Sequence, residues 1–209
     1  MRHSRILVIA LGLVIFAAPA LAQSGPDSAV PAPKLSPQDT REVALDRLFA
    51  SLHKASDEQA AKAVEQKIWE LWSRFDSPTA EVLLGQAVVA MGASENSASL
   101  EILDRVVASY PTYAEAWNKR ATLHFALGNY DASLRDIDKV LDLEPRHFGA
   151  LSGQGLCHVA LGQMREAAGL FRRCLEVYPH LTAARQKLAA TLAEVVQTNG
   201  HQKRPNASA

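Results

Sequence analysis

The sequence predicts an all-α protein, an α-solenoid of stacked helix-turn-helix hairpins with a C-terminal capping helix. Three observations carry this. A 34-residue pattern is written twice between Ala114 and Leu181, and self-similarity at such a period marks a stacked helical array. Prolines 111, 145 and 179 recur at the same interval, each placed to end a helix, because the residue before a proline is pushed out of helical conformation. Hydrophobic residues make up 48% of the chain with only 6% aromatic, so alanine and leucine do most of the packing, which suits helices.

Met1 to Ala22 reads as a secretory signal peptide. Arg2, His3 and Arg5 form a basic start, Ile6 to Ala18 is a continuous apolar run, and Ala20-Leu21-Ala22 supplies a small-residue cleavage site before Gln23. The run is shorter than the roughly 20 residues of a membrane-spanning helix, so no stable membrane anchor is expected after cleavage. Removal of the signal takes away two arginines and leaves a mature charge of −2. The expected location is periplasmic or secreted. Residues 23–35 carry three prolines among serine, alanine and glycine and read as a flexible linker.

The helical domain is expected over 36–197. Ser36-Pro37-Gln38-Asp39 is a helix start, with serine as N-cap, proline in the first turn and an acid three residues on. Val43, Leu45, Leu48, Phe49 and Leu52 then follow at helical spacing. Ser56-Asp57 restarts a helix whose apolar face is Ala60, Val64, Ile68, Leu71, Trp72 and Phe75, with Trp69 beside it. These two helices, 37–76, form a divergent first repeat without a glycine turn. Ser77-Pro78 opens the next pair, and 80–113 is a degenerate copy with Leu83, Ala87, Ala90, Leu103, Val106 and Pro111 at the skeleton positions and Ser94 and Ser99 at two small-residue positions.

The copy at 114–147 carries Trp117, Ala121, His124, Gly128-Asn129-Tyr130, Ile137, Val140 and Pro145. The copy at 148–181 carries Leu151, Gly155, His158, Gly162-Gln163-Met164, Ala167, Phe171, Cys174 and Pro179. Gly128 and Gly162 fall between paired helices, where a tight turn benefits from the absence of Cβ. One hairpin leaves a side exposed, so neighbours must stack. Leu181 to Gln197 closes the array as an amphipathic helix with Ala184, Leu188, Leu192 and Val195 inward, and 198–209 reads as a polar tail.

These positions resemble the tetratricopeptide repeat (TPR) family. The resemblance implies a concave groove, lined by the first helix of each repeat, that holds a peptide or protein partner. Transferred by offset, the partner-binding groove is Glu81, Leu84, Val88 and Met91, then Glu115, Asn118, Thr122 and Phe125, then Gly149, Ser152, Leu156 and Val159. This lining is apolar with a few hydrogen-bonding groups and two acids at one rim. Lys119 and Asn118 are isolated fragments of the Lys and Asn set by which chaperone-binding TPR domains clamp a terminal carboxylate. A hydrophobic or basic-amphipathic segment suits the lining better.

Other chemistry has little support. Lys+Arg and Asp+Glu are both 22, and nucleic-acid binding needs a clustered basic face, so no nucleic acid is expected. His124 and His158 share one repeat offset and could suggest a metal pair, but no acid or cysteine sits at a matching offset, and core histidine is the plainer reading. Cys157 and Cys174 fall at different levels of one hairpin, outside disulfide reach, and read as buried thiols. Arg146, His147, Arg172 and Arg173 could form a small basic surface patch. Nearly every acid is expected on an outward face, and no Ser-His-Asp or paired-carboxylate arrangement stands out, so no enzyme, cofactor or metal site is expected. The expected role is a non-catalytic protein-interaction scaffold of the cell envelope. A homo-oligomer joined through apolar surface near Trp69 and Trp72, or a histidine-based small-molecule or metal binder, are the alternatives.

Overall fold

A computed structural model describes residues 36–202, so the expected signal peptide and linker lie outside the described residues. Among the described residues there are nine helices and no strand. They are α1 (Pro37–His53), α2 (Glu58–Ser73), α3 (Pro78–Gly92), α4 (Asn96–Ser109), α5 (Ala114–Ala126), α6 (Tyr130–Leu143), α7 (Phe148–Ala160), α8 (Met164–Val177) and α9 (Thr182–Gln202).

Local sequence accounts for the helix ends. Ser36 and Asp39 form a reciprocal capping box at α1, Asp57 caps α2 through the Ala60 amide, and Ser77 caps α3 through the Ala80 amide. The glycine turns are left-handed as expected, with φ of 77° at Gly128 and 75° at Gly162. Ser94 holds the same place between α3 and α4 at φ 62°, a conformation that costs a side-chain residue more than glycine. The C-terminal helix runs to Gln202, five residues past the expected end, so the tail begins later than its composition suggests.

The pairs α3–α4, α5–α6 and α7–α8 stack in order and α9 packs on α8. Repeat offsets are reproduced atom for atom at two levels. Ser99 Oγ donates to the Ala87 carbonyl at 2.9 Å, and Ser133 Oγ donates to the Ala121 carbonyl at 2.8 Å, tying second helix to first. At the third level Gly155 makes room for Phe171. A Cβ on Gly155 would lie 2.7 Å from Phe171 Cε1. Gly155→Ala is therefore expected to destabilise the fold by about 1–3 kcal/mol despite alanine's better helix propensity, as measured by urea unfolding.

The expectation of four hairpins in one stack is corrected by the structure. Hairpin α1–α2 does not occupy the first place in the array. Its core side chains, Leu45, Phe49, Leu52, Ala61, Ile68 and Trp72, share one cluster with Phe148, Leu151, Cys174, Tyr178 and Ala184 of α7, α8 and α9, and with no residue of α3 or α4. Polar contacts follow the same path. Asp46 pairs with Arg146 at 2.6 Å, Tyr178 donates to Glu65 at 2.9 Å, Thr182 donates to Glu58 at 2.7 Å, and His53 donates to the Glu176 carbonyl at 2.7 Å.

The backbone between hairpins explains the difference. The second helices α4, α6 and α8 end on Tyr110, Glu144 and Tyr178, with φ near −131° to −140° and ψ near 65° to 89°. That shared bend sends the next helix onto the stack. Arg74, after α2, has φ −83° and ψ 143°, an extended conformation that sends the chain elsewhere. The expected self-association surface at Trp69 and Trp72 is corrected with it. Trp72 is fully buried and Trp69 half-buried, both against this chain's own array.

Candidate partner-binding groove

The groove is built by the first helices α5 and α7, and α2 lies against part of it. Trp69 sits on Gly149, where a Cβ would come within 2.7 Å of the indole Cη2, and meets Phe148 edge-on at 5.3 Å. The Lys119 ammonium lies 5.4 Å from the centre of the same indole. Gly149 is thus small because an indole crosses it.

Beside this contact a cleft of about 290 Å³ remains open. Asn118, Thr122 and Phe125 of α5 and Gly149, Ser152 and Leu156 of α7 line one side, with Glu65 and Trp69 of α2 on the other. Of the groove residues transferred by offset, these six are brought together. The polar groups nearest the lining are largely committed within the chain. Thr122 Oγ1 donates to the Asn118 carbonyl at 2.8 Å, and Glu65 accepts from Tyr178 and, at 3.3 Å, from Trp69 Nε1. Glu65 and Trp69 were not among the sequence-derived groove residues. Their spacing of four on one face of α2 was legible, but the place of that face was not.

The other groove residues fall elsewhere. Leu84 is buried in the core of α3, α4 and α5, with Met91 half-buried against it. Glu81 lines a separate cleft of about 470 Å³ and accepts the Phe75 amide at 2.7 Å. Val88 is exposed on α3 and Val159 half-buried on α7, and neither lines the 290 Å³ cleft.

Glu115 departs furthest from its expected place at the groove rim. It is fully buried, with one carboxylate oxygen accepting from Asn118 Nδ2 at 3.0 Å and from His147 Nε2 at 3.2 Å, and the other 2.7 Å from Lys119 Nζ. Burial alone would raise its pKa. The His147 hydrogen bond and the Lys119 charge outweigh that and hold the carboxyl below its ordinary value. His147 is also buried, which removes it from the expected basic patch, and Arg146 is neutralised there by Asp46 and Glu144. His147 Nδ1 accepts the Ala150 amide at the α7 N-terminus, so its proton is on Nε2 and aimed at Glu115. The imidazole stacks on Trp72 at 3.9 Å, near parallel. The expectation that acids face outward fails here and again at Asp136, buried under a two-point contact from Arg120 at 2.8 and 2.7 Å.

His124 lies 4.0 Å from Asp136, and His158 contacts Gln163 at 2.5 Å. Among the described residues no three His, Cys, Asp or Glu side chains are placed to hold one metal ion. Cys157 and Cys174 are free and buried in different clusters, and burial pushes the Cys174 thiol up to about 12. Among the same residues no helix is long and apolar enough to cross a membrane.

Fold and cleft together define a class, an α-solenoid of helical hairpins with a lined groove on its first helices. Comparison with known proteins narrows it. A tetratricopeptide repeat family model matches residues 84–137 and 118–180. A TPR repeat-containing protein of Rhizobium etli is 40% identical over 86 residues, which are 41% of this chain and 42% of that protein. Residues 84–180 of the chain carry tetratricopeptide repeats, and the chain spans less than half the length of the relative it matches. Two solved structures share the fold. The Sgt2 TPR domain of Aspergillus fumigatus matches at TM-score 0.59 and 18% identity, over 64% of this chain and 89% of that one. The first TPR of Spaghetti (RPAP3), bound to an HSP90 peptide, matches at TM-score 0.56 and 21% identity, over 58% of this chain and 96% of that one.

Proposed function

We propose that the protein is a non-catalytic interaction scaffold of the periplasm or cell envelope that holds a segment of a protein partner in the cleft between α2 and the first helices α5 and α7. The observation that supports this is the convergence of Asn118, Thr122, Phe125, Ser152 and Leu156 on one 290 Å³ cleft with a mainly apolar lining. Such a cleft takes one or two apolar side chains of a peptide, with the segment's backbone facing the hydroxyls. The HSP90 peptide held by the Spaghetti TPR is a precedent for peptide capture by this fold. The location rests on the basic start, apolar run and Ala20-Leu21-Ala22 site of the N-terminus.

Phe125→Glu and Leu156→Glu place a charge inside the cleft and are expected to weaken partner capture at least about a hundredfold, because an unpaired buried charge costs several kcal/mol. The assay is crosslinking in cells from a photo-reactive residue at position 125, with circular dichroism of each variant as control. Loss of crosslinks with helicity intact supports the cleft. Unchanged capture by both variants refutes it. Detection of the chain in the cytoplasmic fraction with residues 1–22 still attached would refute the location.

A further inference from the structure

The face of α3 turned away from α4 and α5 has a composition that water does not explain. Ala80, Leu84 and Ala87 pack inward, so Val82, Gly85, Val89 and Gly92, with the polar Gln86 beside them, form the opposite face at helical spacing. Val82 is 61% exposed, Val89 72%, and Val88 at the edge of that face 42%. From Val82 to Ala93 the helix carries no charged residue. Gly85 sits mid-helix, where glycine weakens a helix relative to alanine. Neither a positive φ nor a neighbour within 4 Å of a Cβ requires it. Gly169 on α8 is equally open, but Arg172 and Arg173 follow it and the surface there is charged. Among the glycines whose surroundings are described, only those on α3 coincide with exposed valines.

The occupant of this face is indicated by its own symmetry. When two copies of α3 are laid antiparallel about position 87, Val82 falls opposite Gly92 and Gly85 opposite Val89, so these two valines each meet a glycine, and Val88 at the edge meets Gln86. The flanking acids find no like charge. Glu81 lies opposite Ala93, and Glu95 opposite Thr79. Parallel pairing would instead set valine on valine and Glu81 on Glu81. Small residues facing large ones let helix backbones approach closely, and a two-fold contact needs such self-complementarity.

We propose that α3 is the contact surface for a second copy of this chain, giving an antiparallel two-fold dimer through Val82, Gly85, Val89 and Gly92. The hairpin α1–α2 leaves this end of the array uncovered by folding on α7, α8 and α9, and the second copy covers it. A single helix pair about 22 Å long is at the small end of stable interfaces, so the dimer forms and dissociates with micromolar affinity.

Sedimentation velocity of the full chain from micromolar to submillimolar concentration is expected to show a monomer–dimer shift. Val89→Glu is expected to raise the dissociation constant at least about tenfold with helicity unchanged, through an unpaired charge at the contact. Gly85→Ala, which improves the helix but fills the hole opposite Val89, is expected to weaken the dimer also. Orientation is read by oxidative crosslinking of Val82→Cys chains mixed with Gly92→Cys chains. The mixture crosslinks, and each variant alone does not, since like positions lie about 15 Å apart along the axis. A monomer throughout the range, a dimer indifferent to Val89→Glu, or crosslinking of Val82→Cys with itself would each overturn the proposal.

Discussion

Trp72→Ala is expected to lower stability to unfolding by about 3–5 kcal/mol, among the largest effects of any single substitution in this chain. The indole is 1% exposed. It stacks on His147 at 3.9 Å and contacts Phe148 at 4.9 Å and Phe49 at 6.0 Å, so it joins α1, α2 and the start of α7 in one aromatic cluster. Its Nε1 makes no hydrogen bond, so the loss is one of packing and apolar burial. The expected signature is spatial. Native-state hydrogen exchange of the variant should quicken in α1, α2, α7 and α9 while α3 and α4 change little. An array with α1–α2 stacked on α3 would show the reverse, with α3 and α4 most affected.

The second large effect belongs to Glu115. Glu115→Ala leaves the buried His147 and Asn118 donors and the partly exposed Lys119 ammonium without their shared acceptor. Removal of one partner from a buried cluster costs about 3–5 kcal/mol, with the lower end expected here because water reaches Lys119. The pH dependence follows from the direction of its pKa. Because the folded carboxyl is held below its ordinary value, Glu115 contributes stability that is fully present above about pH 4.3, the unfolded value, and is lost as pH falls through the folded one. Glu115→Gln keeps the shape but not the charge. Its unfolding free energy, measured by urea titration between pH 3 and 7, should fall less steeply on the acid side than that of the parent chain. Parallel acid limbs would show that Glu115 does not ionise within the fold.

The cleft and the buried cluster are coupled by position. Asn118 lines the one and binds Glu115 in the other, and Lys119 pairs with Glu115 while facing Trp69. The groove's floor is thus held by an ion cluster, and its far wall by α2. A substitution in α2 is expected to reach the cleft through Trp69, whereas one in α3 is not.

What the sequence determined by itself is the periodic part. The prolines at 111, 145 and 179, the glycines at 128 and 162, and the serines that cap α1 and α3 act through their own backbones or within a few residues, so their consequences are local and readable. The placement of Ala87 and Ala121 under Ser99 and Ser133 was readable for the same reason, since a repeat carries its own template. That six of the residues transferred by offset line one cleft followed from that template too. The tertiary structure alone decided where the first hairpin goes. Phe49, Ile68 and Trp72 mark an apolar face that any apolar surface would satisfy, and hydrophobic burial carries no direction. The choice between α3 and α7–α9 rested on the extended Arg74, on the Gly149 hollow that accepts Trp69, and on the Phe148, His147 and Tyr178 rings. That choice set Trp69 across Gly149, covered His147 with Trp72 beside the buried Glu115, and left the valines and glycines of α3 open.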